Sequence, residues 1–124
     1  FVGIFPALQE AGIAALLDPK SEEAVAQLNA TYDSRRDAFV QAAAKIGWRA
    51  FPSRGSFYAW MPVPEGYTSE SFADLLLEKA HVAVAPGKGF GPAGDAYVRI
   101  GLLVEPERLV EAVNRIANLH LFNN

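Results

Sequence analysis

Apolar and polar side chains alternate with period two along Tyr97–Leu102. Val98, Ile100 and Leu102 fall on one side, and Tyr97, Arg99 and Gly101 on the other. That spacing predicts a half-buried strand with Arg99 on the face turned from the core. The compact aromatic run Ser56–Met61 predicts a second strand, and the short runs Trp48–Phe51 and Val82–Ala85 two more. Elsewhere the period is helical. Ile4–Leu17 is apolar and rich in small residues, with a stripe through Ile4, Leu8, Ala11 and Ala15. Asp18-Pro19-Lys20-Ser21 breaks it, and Ser21 is suited to cap a long helix over Glu22–Ile46. Val25, Leu28, Tyr32, Phe39 and Ile46 recur there at helical spacing, Arg35 interrupts any coiled-coil seam, and Gly47 ends the helix. Thr68-Ser69 caps a helix over Glu70–Lys79 with Phe72, Leu75 and Leu76 inward. The last helix opens at Glu105-Pro106-Glu107 and carries Leu109, Val113, Ile116 and His120 on one stripe.

The order is therefore α-α-β-β-α-β-β-α. It predicts an α+β fold, a small sheet of three to four strands with helices covering one face. The other face stays free to meet something else, and Arg99 lies on it. A guanidinium on a rigid strand offers a planar fork of donors to a carboxylate. On the pattern alone, an ordinary arginine on a solvent-exposed face is the readier explanation.

The 124 residues are 51% hydrophobic and 20% charged, enough apolar material for a real core and too much for a disordered chain. A net charge of −3 without any basic run argues against nucleic acid and against a polybasic membrane tether. With no cysteine, disulfide frameworks and Cys-type zinc sites are excluded, which agrees with a cytoplasmic protein. No apolar run is long enough to span a bilayer as a helix. The chain starts on Phe1 within an apolar pattern, without Met or a signal-peptide signature, as expected of a piece of a longer chain.

No catalytic constellation is complete in these residues. His81 and His120 have no neighbouring metal-ligand set and read as structural or solvent-facing, so no metal is expected. Ser53, Ser56, Ser69 and Ser71 lack a nucleophile elbow. Glu22-Glu23 and Glu105-Glu107 suit first-turn dipole partners. The loop Ala85–Asp95 fails the P-loop test, because Lys88 is not followed by Ser or Thr and no helix starts there. Turn chemistry accounts for most of its glycines. None of Lys20, Lys45, Lys79 and Lys88 has the context of a desolvated Schiff-base lysine.

Taken together, four motifs resemble the C-terminal part of a class I/II aminotransferase of fold type I, nearest the diaminopimelate-type and alanine-type branch. They are the small-residue stretch Gly3–Leu16; Tyr32, Arg35, Arg36 and Asp37 as Y-x-x-R-R-D; Pro52 with Gly55–Trp60; and Val84–Gly87 with Phe90-Gly91 and Tyr97–Ile100. The resemblance covers the whole chain. It implies that residues 1–17 form a connecting helix from a large domain and residues 18–124 the small domain. It implies that Arg99 binds the substrate α-carboxylate, with Gly55 and Phe57 as further active-site lining. It implies pyridoxal phosphate, amino acid and 2-oxo acid substrates, and a homodimer for the full-length enzyme. The family's Schiff-base lysine and cofactor-binding residues match nothing here, so this piece alone is expected to bind no cofactor and to be inactive. The rival from another class is a non-catalytic, amino-acid-binding regulatory α+β module holding its effector at Arg99 or the glycine loop.

Overall fold

The computed structural model describes residues 3–51, 53 and 55–122. Pro52 and Arg54, on which part of the expected Pro52–Gly55 turn and one motif fall, lie outside the described residues, as do Phe1, Val2, Asn123 and Asn124. The chain divides into two compact units, Phe1–Thr31 and Tyr32–Asn124. Its helices are α1 (Pro6–Leu17), α2 (Ser21–Lys45), α3 (Ser69–Leu75, continued by a π-turn over Leu76–Ala80) and α4 (Pro106–Ala117). The described strands are β1 (Tyr58–Pro62), β2 (Ala85–Pro86) and β3 (Tyr97–Gly101). The fold class is α+β, as expected, with three strands.

In the first unit, α1 has Pro6 in its first turn but no side-chain cap, and none of its residues is buried. In the turn after it, Asp18 Oδ1 accepts the Lys20 amide at 2.8 Å, while the Ser21 hydroxyl donates to the Ala15 carbonyl at 2.5 Å. Ser21 is itself the first residue of α2, so its expected capping role is corrected. Val25 and Leu28, expected inward, are exposed.

The second unit holds the core. β3 is central and antiparallel to both neighbours, in the order β1-β3-β2. Alternation drives one face inward: Ala59, Met61, Val98 and Ile100 pack with Phe39, Ala42 and Ala43 of α2, Phe72 and Leu76, and Leu109, Val113 and Ile116 of α4. Two helix ends in this unit have a clear local cause. α2 stops in a Schellman turn: Gly47 takes φ 82°, its amide donates to Ala44 O at 3.1 Å and the Trp48 amide to Ala43 O at 3.0 Å. α3 starts in a reciprocal box, with Thr68 Oγ1 accepting the Ser71 amide at 3.2 Å and Ser71 Oγ accepting the Thr68 amide at 2.9 Å.

Two expected strands are corrected. Trp48–Phe51 joins no ladder; Phe51 gives one amide to Trp60 O at 3.0 Å. Trp48 is a core residue, 1% exposed, whose indole N–H donates to Pro62 O at 2.8 Å. Over Val82–Ala85 the Val82 amide is used by Leu76 O, and pairing begins only at Ala85. His81 and His120, both exposed, hold left-handed backbone at φ 55° and 51°. His120 lies beyond the end of α4, so it is not on the buried stripe.

Candidate functional site

The sheet face turned from the helices carries Tyr58, Trp60 and Pro62 of β1 and Tyr97 and Arg99 of β3, because alternate residues of each strand point there. Register places Trp60 and Ala85 directly beside Arg99 on its two sides. Arg99 is half-buried, while its neighbours Val98 and Ile100 are in the core. The ζ-carbon of Arg99 stands 4.1 Å over the centre of the Tyr58 ring and 4.0 Å over that of Phe90. Among the described residues, no hydrogen bond or ion pair engages its fork.

Phe90 comes from the glycine loop, which runs as two successive 3-10 turns, Gly87–Phe90 and Pro92–Ala96. Turn chemistry does not explain all its glycines. A β-carbon on Gly94 would overlap the Gly87 carbonyl, and one on Gly87 would overlap the carbonyls of Gly94 and Tyr97 and meet the Trp60 ring at 2.7 Å. These two glycines are there so that the turns can cross backbone to backbone. Ser69, fully buried, ties the loop to α3: its hydroxyl donates to Asp95 Oδ1 at 2.8 Å and accepts the Lys88 amide at 3.3 Å. The bonds that the Ser69 hydroxyl and the Ser69 amide donate to Asp95 hold its carboxyl below the usual carboxylate range. Lys88 is paired with Glu70 at 2.9 Å, and that bond and charge raise its ammonium above the ordinary value.

Beyond Phe90, an apolar recess of about 350 Å³ is lined by Phe51, Trp60, Phe90, Ala93, Gly94 and Tyr97. A second cavity, of about 230 Å³, lies between α4 and the segment before β2, where Arg108 and Arg115 both pair with Glu111. Arg115 above all holds that carboxyl below its usual range.

The other sequence-predicted lining residues are placed differently. Phe57 is 40% exposed and stacks obliquely on Tyr58 at 4.6 Å and on Tyr32 at 5.6 Å, so it joins the Arg99 surface through Tyr58. Gly55 is exposed, its carbonyl accepts the Ser53 hydroxyl at 2.6 Å, and no described contact brings it to Arg99. In the Tyr32–Asp37 motif, Arg35 reaches Glu105 at 2.6 Å and Arg36 pairs with Asp33 and Asp37. The Asp37 hydrogen bond, with the charges of Asp37 and Asp33, raises the Arg36 guanidinium above its ordinary value.

Sequence reasoning missed Tyr58, Phe90, Ser69 and Asp95 as parts of one assembly. Tyr58 was readable, since antiparallel pairing puts it on the Arg99 face. Phe90 carries no periodic signal.

A pyridoxal cofactor needs a desolvated lysine for its aldehyde. Lys20, Lys45, Lys79 and Lys88 are all exposed, and the pairing of Lys88 raises its value where such a role requires lowering it. The lysines of this chain do not fit that anchor. Among the described residues, no cluster of three His, Asp or Glu side chains stands ready for a metal, and no helix is long and apolar enough to cross a membrane.

The profile of the family "Aminotransferase class I and II" matches residues 3–116. The L-glutamine--4-(methylsulfanyl)-2-oxobutanoate aminotransferase of Bacillus subtilis (strain 168) is 57% identical over 98% of this chain and 30% of its own length. An LL-diaminopimelate aminotransferase of Moorella thermoacetica is 46% identical over 92% of this chain and 29% of its own. A substrate-bound structure of BacF from Bacillus subtilis superimposes with a TM-score of 0.85 at 41% identity, over 98% of this chain and 31% of that one. The aromatic aminotransferase of Pyrococcus horikoshii does so with a TM-score of 0.79 at 37% identity, over 85% and 28%. The chain thus spans about 30% of the length of the curated relatives it matches.

Proposed function

The chain belongs to the class I and II aminotransferase family, and from that premise we propose that it is the part of an aminotransferase that receives the substrate α-carboxylate. Arg99 is the binding residue. The single observation that carries this reading is its fork, on a partly buried residue of a rigid central strand and engaged by no acceptor among the described residues. A carboxylate meeting that fork in plane gains two charge-assisted hydrogen bonds, worth about 1.5–3 kcal/mol. Part of that energy goes into orienting the Cα–H bond for proton removal. Family membership, with a sheet built of single strands and no internal repeat, favours this over an effector-binding regulatory module.

In the same proposal, residues 1–17 are a connecting helix and residues 18–124 the small domain, completed by a large domain of the same protein. Pyridoxal phosphate supplies the electron sink when bound to the complete enzyme. Since the lysines here do not fit its anchor, that anchor belongs to the large domain. Substrates are an amino acid and a 2-oxo acid, the enzyme is a homodimer, and its compartment is the cytoplasm. The names of the relatives point to 2-amino acids of quite different side chains, which suits a subsite reading the carboxylate alone.

The test is Arg99→Lys in the complete enzyme. One ammonium cannot make two parallel bonds to a carboxylate. The expected result is a loss of about 100-fold or more in kcat/KM for an amino acid, with far less change for the amine lacking its α-carboxylate. An unchanged ratio between the two substrates sinks the reading.

A further inference from the structure

The Arg99 guanidinium lies close over two aromatic rings, and among the described residues its donors engage no acceptor. Its ζ-carbon lies 4.1 Å from the centre of the Tyr58 ring and 4.0 Å from that of Phe90. A guanidinium is weakly hydrated over its faces and donates only in its plane. Ring contact at such distances uses the surface of the guanidinium that needs little water and competes with none of its in-plane donors. Each contact is favourable, and a second one removes the freedom to roll that a single ring leaves. A carboxylate arriving at such a fork does not have to meet the entropy of ordering it.

The placement of Phe90 does not come from core packing. The residue is 51% exposed, and its ring meets Trp60 edge-on at 5.8 Å. The turn beneath it is fixed instead: Gly87 and Gly94 cross with no room for a β-carbon, and buried Ser69 joins the Lys88 amide to Asp95. The loop is anchored on both sides of an exposed ring that lies on the arginine.

We propose that Tyr58 and Phe90 are positioning residues that clamp the Arg99 guanidinium with its edge outward for a monocarboxylate, and that Ser69 and Asp95 set the clamp by fixing the loop that carries Phe90. The proposal rests on the carboxylate-binding reading of Arg99. It differs from that reading in saying that affinity for the carboxylate depends on aromatic side chains that never hydrogen-bond to it.

The experiment uses the complete cofactor-bound enzyme and two probes, 4-methylpentanoate and its neutral amide, with dissociation constants from calorimetry. Variants are Arg99→Lys, Phe90→Leu, Phe90→Tyr, Tyr58→Leu and Asp95→Asn. Loss of either ring should weaken the carboxylate about three- to tenfold while the amide moves less than about twofold. Phe90→Tyr, which keeps a ring, should bind like wild type. Asp95→Asn should shift the carboxylate in the same direction by a smaller factor. In steady state, the ring variants should raise KM for an amino acid more than they lower kcat. If Arg99→Lys leaves carboxylate binding intact, the reading of Arg99 falls and the clamp with it. If Arg99→Lys weakens the carboxylate but the ring variants do not, the reading stands and the clamp is wrong. Equal weakening of carboxylate and amide in the ring variants also overturns it, because a general loss of structure would do the same.

Discussion

Helices α1 and α4 are each 12 residues long and each begins with a proline, yet they are opposite solutions to being a helix. α4 sorts its side chains: Leu109, Val113 and Ile116 are buried, while Glu107, Arg108 and Asn114 face out. α1 does not sort them. It is apolar nearly all round, buries nothing among the described residues, and leaves Leu8 64% and Leu16 83% exposed. Amphipathicity tells a helix which side to bury, and a short helix gains most of its stability from that burial. A helix apolar on every side belongs inside something. The contrast separates a region whose partners lie within this chain from one whose partners, in the proposed enzyme, belong to the large domain.

Truncating one leucine in each helix tests that contrast with the largest expected effect. Leu109 is 4% exposed in the core, and Leu109→Ala should cost about 3 kcal/mol in urea unfolding of the 124-residue chain. Leu8→Ala should change it by less than about 0.5 kcal/mol, as at an open surface. In the complete enzyme the two costs should converge if α1 is covered there. A Leu8→Ala variant equally neutral in both proteins breaks the proposed role of α1.

The same contrast divides what was legible in the sequence from what was not. The α4 stripe over Leu109, Val113 and Ile116 and the alternation over Tyr97–Gly101 were readable because core burial imposes a period on them. The free-face position of Arg99 follows from that period alone. Val25 and Leu28 share the period of α2 but are exposed, since periodicity shows that a stripe exists and not what covers it. Trp48–Phe51 has the aromatic composition of a strand, and its backbone nevertheless joins no ladder, the Trp48 amide being spent on Ala43 O in the turn that ends α2. The ring clamp was hidden for another reason. Phe90 is positioned by a backbone crossing of Gly87 and Gly94 and by a serine and an aspartate 26 residues apart in sequence. None of these leaves a local pattern.

Glycine gives the second comparison. Gly12 lies inside α1 with nothing within 4 Å of an added β-carbon, whereas Gly94 has the Gly87 backbone in that place. Gly12→Ala should stabilise the chain by about 0.5–1 kcal/mol, the ordinary preference of a helix interior. Gly94→Ala should destabilise it by about 2 kcal/mol, because backbone on both sides of the contact has to move. It should also dislodge Phe90 and so weaken carboxylate binding in the complete enzyme. Thermal unfolding of the two variants checks the sign. A Gly94→Ala variant as stable as wild type or more so would mean that the crossing is not tight.

The smallest expected effect is a pH dependence confined to the second unit. Asp95 accepts both the hydroxyl and the amide of buried Ser69, at 2.8 and 3.2 Å, and these bonds hold its carboxyl below the usual range. In the unfolded chain those bonds are gone, so Asp95 binds its proton more readily there. Between the folded and unfolded values the unfolded state carries more protons, and stability therefore rises with pH. The contribution is fully present above the ordinary carboxylate value of about 4 and is lost as the pH falls through the folded value. Asp95→Asn removes the titrating group and should flatten part of the fall in urea midpoint below about pH 5. Glu111, also lowered, chiefly by its bond to Arg115, keeps its own share of that fall, so the slope should diminish without vanishing. The double variant Asp95→Asn with Glu111→Gln should be flatter still. A wild-type slope in Asp95→Asn would mean that the Ser69–Asp95 bonds do not hold the loop in solution, and the fixed seat of Phe90 would go with them.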